Sequence, residues 1–262
     1  MDSTQLLDAV ADQCRQAKRI LFITGAGLSA DSGLPTYRGI GGLYGNRLTR
    51  HGVSIEEALS GAMMARRPEV SWAYLAQIEA SCRGAQPNAA HRAIARLAGE
   101  RPGSMVLTQN VDGFHRDVGT PNLVEIHGNL HKLVCTECGR GRSVPDYAGL
   151  QMPPGCLTCG GILRPEVVLF GEDLPRDGIL RLEHMLAEGV DLVISVGTSS
   201  AFPYIAGPVV WAAEAGVPTV EINPGETRVS AAVSHRLRMG AASAFGEILA
   251  RLDAGAKEAA HR

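Results

Sequence analysis

Short apolar runs that stop at a glycine or a polar turn, with helical patterning between them, constrain this chain more than any other feature. Arg19 to Thr24 reads RILFIT, and Gly25 and Gly27 then break the run. The same grammar returns at Ser104–Thr108, Glu166–Phe170, Asp191–Val196 (followed by Gly197) and Pro218–Ile222. Runs so short and so uniformly apolar read as parallel strands buried on both faces. Between them, Leu6, Leu7, Val10, Cys14 and Ala17 make a helical stripe over Ser3–Ala17. Helical patterns also cover Asn88–Leu97, Arg181–Ala187, Tyr204–Ala215 and Ala244–Leu252. Strand, glycine and helix in repetition predict an α/β fold with a doubly wound parallel sheet. The 31 glycines and 5% aromatics among 262 residues suit many tight strand-to-helix turns better than a β-sandwich.

Two stretches break the rhythm. From Ile40 to Arg83 a glycine-rich loop leads into one or two helices with no strand. From Leu130 to Pro165 there are paired cysteines, prolines and glycines without clean periodicity. Both read as insertions, so residues 1–39, 84–129 and 166–262 are expected to form the sheet domain, with 40–83 and 130–165 a smaller one. A cleft between them is the default ligand site. Lys plus Arg is 25 against 27 Asp plus Glu, a formal charge of −2, which lacks the electrostatic footprint of a nucleic-acid binder. No apolar run approaches the ~18 residues of a membrane span. The start, MDSTQLLDAVADQC, has no basic region before an apolar stretch, so no signal peptide is expected and a cytoplasmic location is.

Four of the six cysteines fall as Cys135-x2-Cys138 and, seventeen residues on, Cys156-x2-Cys159. Two CxxC turns facing each other make a closed tetrahedral zinc site at zinc-ribbon spacing, and four thiolates leave no place for a catalytic water. A structural ion would supply folding energy to a segment with little core. Reduced thiol pairs or two disulfides are the alternatives. Cys14 and Cys82 lie on helices, placed far from the glycine turns, so a cysteine nucleophile is not expected.

Three further constellations sit where strands end. Gly25-Ala26-Gly27-Leu28-Ser29-Ala30 fits GxGxxG/A: Gly25 for the turn, Gly27 for close approach of a pyrophosphate, Ala30 for helix packing. An ordinary tight turn is the bland alternative. The ribose-binding acid expected about 20 residues on is missing from NRLTR (Asn46 to Arg50), so a dinucleotide here would be held differently from a common dehydrogenase. Thr108-Gln109-Asn110-Val111-Asp112 offers amides and a carboxylate to ribose hydroxyls or a carboxamide, or else a polar turn with Asp112 as an N-cap. His127, where an apolar run meets Gly128, is placed to be a general base, in competition with His115 and His131.

Taken together, these residues resemble the sirtuin family, NAD-dependent protein deacylases, from about Arg19 to Leu252. The motifs are GAGLSADSGLPTYRG (Gly25–Gly39), TQNVDGFH (Thr108–His115), His127-Gly128, the four cysteines, RPEVVLFGEDLP (Arg164–Pro175), VGTSS (Val196–Ser200) and EIN (Glu221–Asn223). The resemblance implies a Rossmann-like domain with a zinc-binding and helical small domain, and NAD between them. It places Gly25, Ala26, Gly27, Ser29 and Ala30 at the phosphates, with Tyr37 and Arg38 beside the ribose and pyrophosphate. Gln109 and Asn110 go to the nicotinamide ribose, Asp112 to the carboxamide, and Gly197, Thr198, Ser199 and Asn223 to the adenosine half. His127 is implied as the base, with Asn110 and Asp112 also catalytic, and Cys135, Cys138, Cys156 and Cys159 as the zinc ligands. The acyl oxygen of acyl-lysine would attack the ribose, nicotinamide would leave, and the acyl group would finish on ADP-ribose.

Acyl-lysine proteins are the implied substrates, lying as an added strand between Val168, Phe170, Gly171 and Glu172 on one side and the loop after Ser200 on the other. Departures from the family pattern are Tyr37 for the usual Phe and an early proline in AFPYIAGP. A third is Gln77 where relatives that remove acidic acyl groups pair an Arg with Tyr74. An acetyl or other neutral acyl group is therefore expected. Mono-ADP-ribosyl transfer, a non-catalytic NAD-binding module and a zinc-ribbon nucleic-acid binder are the competing readings.

Overall fold

Alternation along β1 (Ile20–Thr24) sends Ile20 and Phe22 to one face and Leu21 and Ile23 to the other, and all four are fully buried. Such a strand needs neighbours on both edges and cover on both faces. The computed structural model, which describes residues 2–36 and 49–260, supplies both. In chain order, α1 (Ser3–Gln16), β1 and α2 (Ala26–Ala30) come first. They are followed by α3 (Ile55–Ala58), α4 (Gly61–Arg66), α5 (Pro68–Cys82), α6 (Ala89–Gly99), β2 (Met105–Thr108), α7 (Phe114–Asp117) and β3 (Leu123–Glu125). Then come β4 (Gly128–Cys135), β5 (Gly141–Ser143), β6 (Leu163–Val167), α8 (Arg176–Glu188), β7 (Leu192–Val196), α9 (Pro203–Glu214), β8 (Thr219–Ile222), β9 (His235–Leu237) and α10 (Ala241–Ala260).

Six strands form one parallel sheet in the order β3-β2-β1-β7-β8-β9. Strand order reverses between β1 and β7, which opens a crevice at their carboxyl ends, the usual ligand position in such sheets. One face is covered by α1, α6 and α10, whose Val10, Ile94, Leu97 and Phe245 close over Phe22. The other is covered by α8 and α9 through Leu182, Met185, Ile205 and Val209 against Leu21 and Ile23. Asn88 starts α6, its side-chain oxygen accepting from Ala90 N at 2.9 Å while its amide donates to Leu28 O at 2.8 Å, which ties the helix to the loop after β1.

A separate three-stranded antiparallel sheet, β5-β4-β6, packs with α3, α4 and α5 around Trp72, Leu75, Leu130, Leu133 and Leu163. Trp72 Nε1 donates to Leu163 O at 3.0 Å, so the helical segment is fastened to β6. Here the structure corrects the sequence reading. Glu166–Phe170 is no strand of the parallel sheet: the strand is Leu163–Val167, its partner is β4, and residues after it turn away. Leu130–Pro165 is not irregular throughout, because β4 runs eight residues into the first cysteine. The edge strand β9 was not anticipated; His235-Arg236-Leu237 is too short and too polar to show an apolar run. Among the described residues no helix is long and apolar enough to cross a membrane.

Candidate active site

Three glycines bring the β1 and β7 loops into contact at the crevice. Gly25 N donates to Val196 O at 3.0 Å and Gly27 N to Gly197 O at 2.7 Å. A Cβ on Gly27 would lie 2.7 Å from Gly197 Cα, and one on Gly197, whose φ is +59°, would lie 2.3 Å from Leu28 N. The glycines are thus demanded by one loop seating on the other. The Gly27 N–H is taken by Gly197 O, so Gly27 serves this corner through its missing side chain and not as a free donor. Ala30 is exposed, so it does not make the close helix contact expected of it; Leu28 and Ser29 are the buried residues of α2. Tyr37 and Arg38 lie outside the described residues.

Gln109, Asn110 and Asp112 leave the end of β2 and meet this turn. Gln109 donates from Nε2 to Thr198 Oγ1 at 2.8 Å, bridging to the β7 loop. Asn110 Nδ2 donates to Gly25 O and to Ser29 Oγ, both at 3.1 Å. Asp112 accepts from Ser29 Oγ at 2.7 Å and from Phe114 N at 3.0 Å, so it both joins the crevice and caps α7, with Gly113 the formal N-cap. Burial pushes the Asp112 carboxyl up, and the two donors pull it back only in part. Ser29 gathers Asn110, Asp112 and, at 3.5 Å, His91 Nε2 around one hydroxyl. On the β8 side, Asn223 Nδ2 donates to Thr198 O at 3.1 Å, while Ser199 is exposed.

His127, just past β3, faces the same crevice. Its Nδ1 lies 3.0 Å from Gln109 O, and a carbonyl can only accept, so that nitrogen carries the hydrogen. Nε2 therefore holds the lone pair, and the Tyr204 hydroxyl, 2.7 Å away, donates to it. Burial lowers the His127 pKa, with the Gln109 carbonyl acting in the other direction. His115 is fully occupied inside the sheet domain, between Thr24 Oγ1 and Thr120 Oγ1, each at 3.2 Å. His131 is on β4. Of the three competing histidines only His127 combines a fixed tautomer with a place at the sheet's carboxyl end.

Cys82 corrects another expectation. It lies at the end of α5, yet it lines a small cavity with Ala26, Ser29, Asn110 and Asp112, beside the glycine turn and not far from it. Burial, with the nearby Asp112 charge, pushes its thiol up to about 11, so it stays protonated and is no nucleophile at neutral pH. Cys82 and Ser29 are far apart in the chain, which hid that proximity.

The other four cysteines converge, every sulfur lying within 4.8 Å of the rest. Cys135 and Cys159 are 3.5 Å apart and Cys138 and Cys156 3.8 Å, far beyond a disulfide bond of about 2.05 Å. Thiolates about 2.3 Å from a shared tetrahedral zinc would stand about 3.8 Å apart, so the site fits that ion. Each pair sits in a closed knuckle, Gly139 N returning to Cys135 O and Gly160 N to Cys156 O. The N–H of Thr158 aims at Cys156 Sγ and lowers that thiol's pKa.

Beyond β6, Val168 N donates to His127 O, and Phe170 is bonded through both backbone groups to Leu59 O and Gly61 N. Glu172 takes two bonds from Arg164, at 2.5 and 2.9 Å, and one from Leu169 N, and despite partial burial these hold its carboxyl below the usual range. Gly171 has a φ of +81°, so 168–172 is a braced turn and not an open strand edge. Tyr74 is buried with its hydroxyl 3.0 Å from His51 Nδ1, and exposed Gln77 folds onto its own helix at Ala73 O.

Comparison with known proteins agrees with this geometry. A family profile described as "Sir2 family" matches residues 25–202. The "NAD-dependent protein deacylase 2" of Pseudomonas aeruginosa is 50% identical over 240 residues, 90% of this chain and 93% of that protein. A Sir2 homologue solved with NAD superimposes with a TM-score of 0.83 at 31% identity, covering 95% of this chain and 94% of that one. A mutant Sir2 homologue solved with 2′-O-acetyl ADP-ribose also gives 0.83, at 33% identity, over 97% and 98%.

Proposed function

This chain belongs to the Sir2 family, and from that premise we propose that it is an NAD-dependent protein-lysine deacylase, moving an acyl group from lysine to ADP-ribose with release of nicotinamide. The observation that supports the reading is His127: a neutral imidazole at the carboxyl end of the sheet, tied at Nδ1 to Gln109 O, with its Nε2 lone pair accepting from Tyr204. When bound, NAD supplies a ribose carbon that parts from nicotinamide and takes up the acyl oxygen.

The chain's own residues divide the remaining work. Gly25, Ala26, Gly27 and Ser29 with Gly197, Thr198 and Ser199 form the walls for the dinucleotide, and Asn223 fixes the wall beside the adenosine half. Gln109 and Asn110 present amides to the nicotinamide ribose. Asp112 keeps acceptor capacity beyond its two protein donors and faces the carboxamide. His127 Nε2 takes the proton of a ribose hydroxyl, and a pKa below the ordinary histidine range keeps it unprotonated for that purpose at neutral pH. The four cysteines hold a structural zinc ion that supplies no step. An acyl-lysine segment of a protein lies between the 168–172 turn and the loop after Ser200. A neutral acyl group fits best, since Tyr74 is engaged with His51 and Gln77 brings no cation.

The test is nicotinamide release from an acetyl-lysine peptide with and without NAD. His127→Ala should lower turnover by about a hundredfold or more while NAD still binds. Undiminished turnover in that variant would remove the base. Labelled ADP-ribose fixed to protein, with no acyl-ADP-ribose formed, would select mono-ADP-ribosyl transfer instead.

A further inference from the structure

The lone pair that the proposed reaction needs is already engaged by the protein: Tyr204 Oη lies 2.7 Å from His127 Nε2. We infer that Tyr204 is a positioning residue that caps His127 Nε2 in the substrate-free site and yields that position to the ribose hydroxyl when the dinucleotide binds. The inference rests on the reading of His127 as the base.

The geometry makes the cap specific. Nδ1–H is spent on Gln109 O, so the phenol can only donate, and in doing so it selects the tautomer that the reaction requires. Tyr204 is stacked on Phe202, ring centroids 5.4 Å apart and planes 13° apart, and His127 meets both rings edge-on at 5.9 Å. The imidazole plane is thereby fixed by two aromatic neighbours as well as by the carbonyl. Without a donor, a buried lone pair beside two rings would be left unsatisfied, so the phenol stabilises the empty site.

The same segment is not fully settled by its own contacts. Tyr204 is half-buried, on the first turn of α9, and the loop before it carries Ser200 with a φ of +50°. The Ser200 hydroxyl is completely buried and has no hydrogen-bond partner among the described residues. Ser200 is therefore a strained position with an unmet hydroxyl, four residues before Tyr204 on the same segment. Displacing Tyr204 replaces one hydroxyl by another at Nε2, so His127 never loses its donor. The binding cost is the Tyr204 bond itself, which for an ordinary hydrogen bond is about a two- to tenfold effect.

Tyr204→Phe tests this because it retains the ring and its stack on Phe202. We expect the KM for NAD to fall about two- to tenfold while kcat holds or rises. We also expect the His127 imidazole, followed by NMR, to titrate at higher pH, because the donor favouring the neutral ring is gone. A kcat at least tenfold lower with unchanged KM would overturn the inference and make Tyr204 a participant in proton transfer. An unmoved His127 titration would overturn it too. In the unaltered protein, a Tyr204 ring resonance that does not respond to saturating NAD is a third refutation. Turnover surviving in His127→Ala is a different result: it removes the base reading, whereas the titration and the Tyr204 ring resonance test the Tyr204–His127 contact itself in chains that keep His127.

Discussion

At Gly27 the smallest possible side chain is already too large. A methyl there would lie 2.7 Å from Gly197 Cα, a backbone atom that cannot rotate aside, so the β1 and β7 loops would have to part. Gly27→Ala should cost about 1–3 kcal/mol, lowering the melting midpoint by several degrees, and should weaken NAD binding. Gly99→Ala is the matched control: nothing lies within 4 Å of its Cβ, so its midpoint should not fall. A second outcome at this scale concerns Gln77. With its amide folded onto Ala73 O and Tyr74 held by His51, no cation is presented to a distal carboxylate. Initial rates on a succinyl-lysine peptide should fall at least about tenfold below those on the acetyl-lysine peptide, by the value of a lost charge-assisted hydrogen bond. Equal rates would contradict the neutral-acyl preference.

Elements show best what a sequence can disclose. The strands β1, β2, β7 and β8 were legible because burial on both faces forces a continuous apolar run, and the four cysteines because a metal imposes spacing. The helical pattern over Asn88–Leu97 matches α6, with Asn88 the cap just ahead of its first residue. Glu166–Phe170 reads as a strand of the parallel sheet, whereas the strand is Leu163–Val167 at the edge of the small antiparallel one: short apolar runs of the two kinds look alike in sequence. Cys82 beside Asp112, and Tyr204 on His127, were not legible at all, since each contact joins elements far apart in the chain and depends on which face of a helix turns inward. For the cysteine knuckles the expected outcome is about one zinc per folded chain. Cys156→Ser should lower metal content and melting midpoint together, and folded protein without metal would refute the four-thiolate assignment.

The whole molecule carries an acid liability in its interior. His91 and His115 are buried beside each other, ring centroids 5.2 Å apart, and burial lowers their pKa values to about 4 and about 3. Both are neutral when folded, whereas the unfolded chain takes up protons as pH falls below about 6.5, so stability drops through the window from there to about 4 for His91 and about 3 for His115. Between pH 7.5 and pH 5 the loss should be on the order of 2–4 kcal/mol, read from urea unfolding at the two pH values. Asp112, whose pKa is raised by burial, works in the opposite sense, and a flat profile would refute the assignment. One last property follows from β6. Its first residue adjoins the cysteine knuckles and its last leads directly into the turn that Leu59 and Gly61 clasp at Phe170. The strand is in effect a stiff rod about 17 Å long joining the four-cysteine site to the turn proposed above to receive the peptide. If the 168–172 turn receives the peptide as proposed, chelation should blunt recognition of the acylated peptide before it disturbs retention of the nucleotide, read from the KM for each after zinc removal.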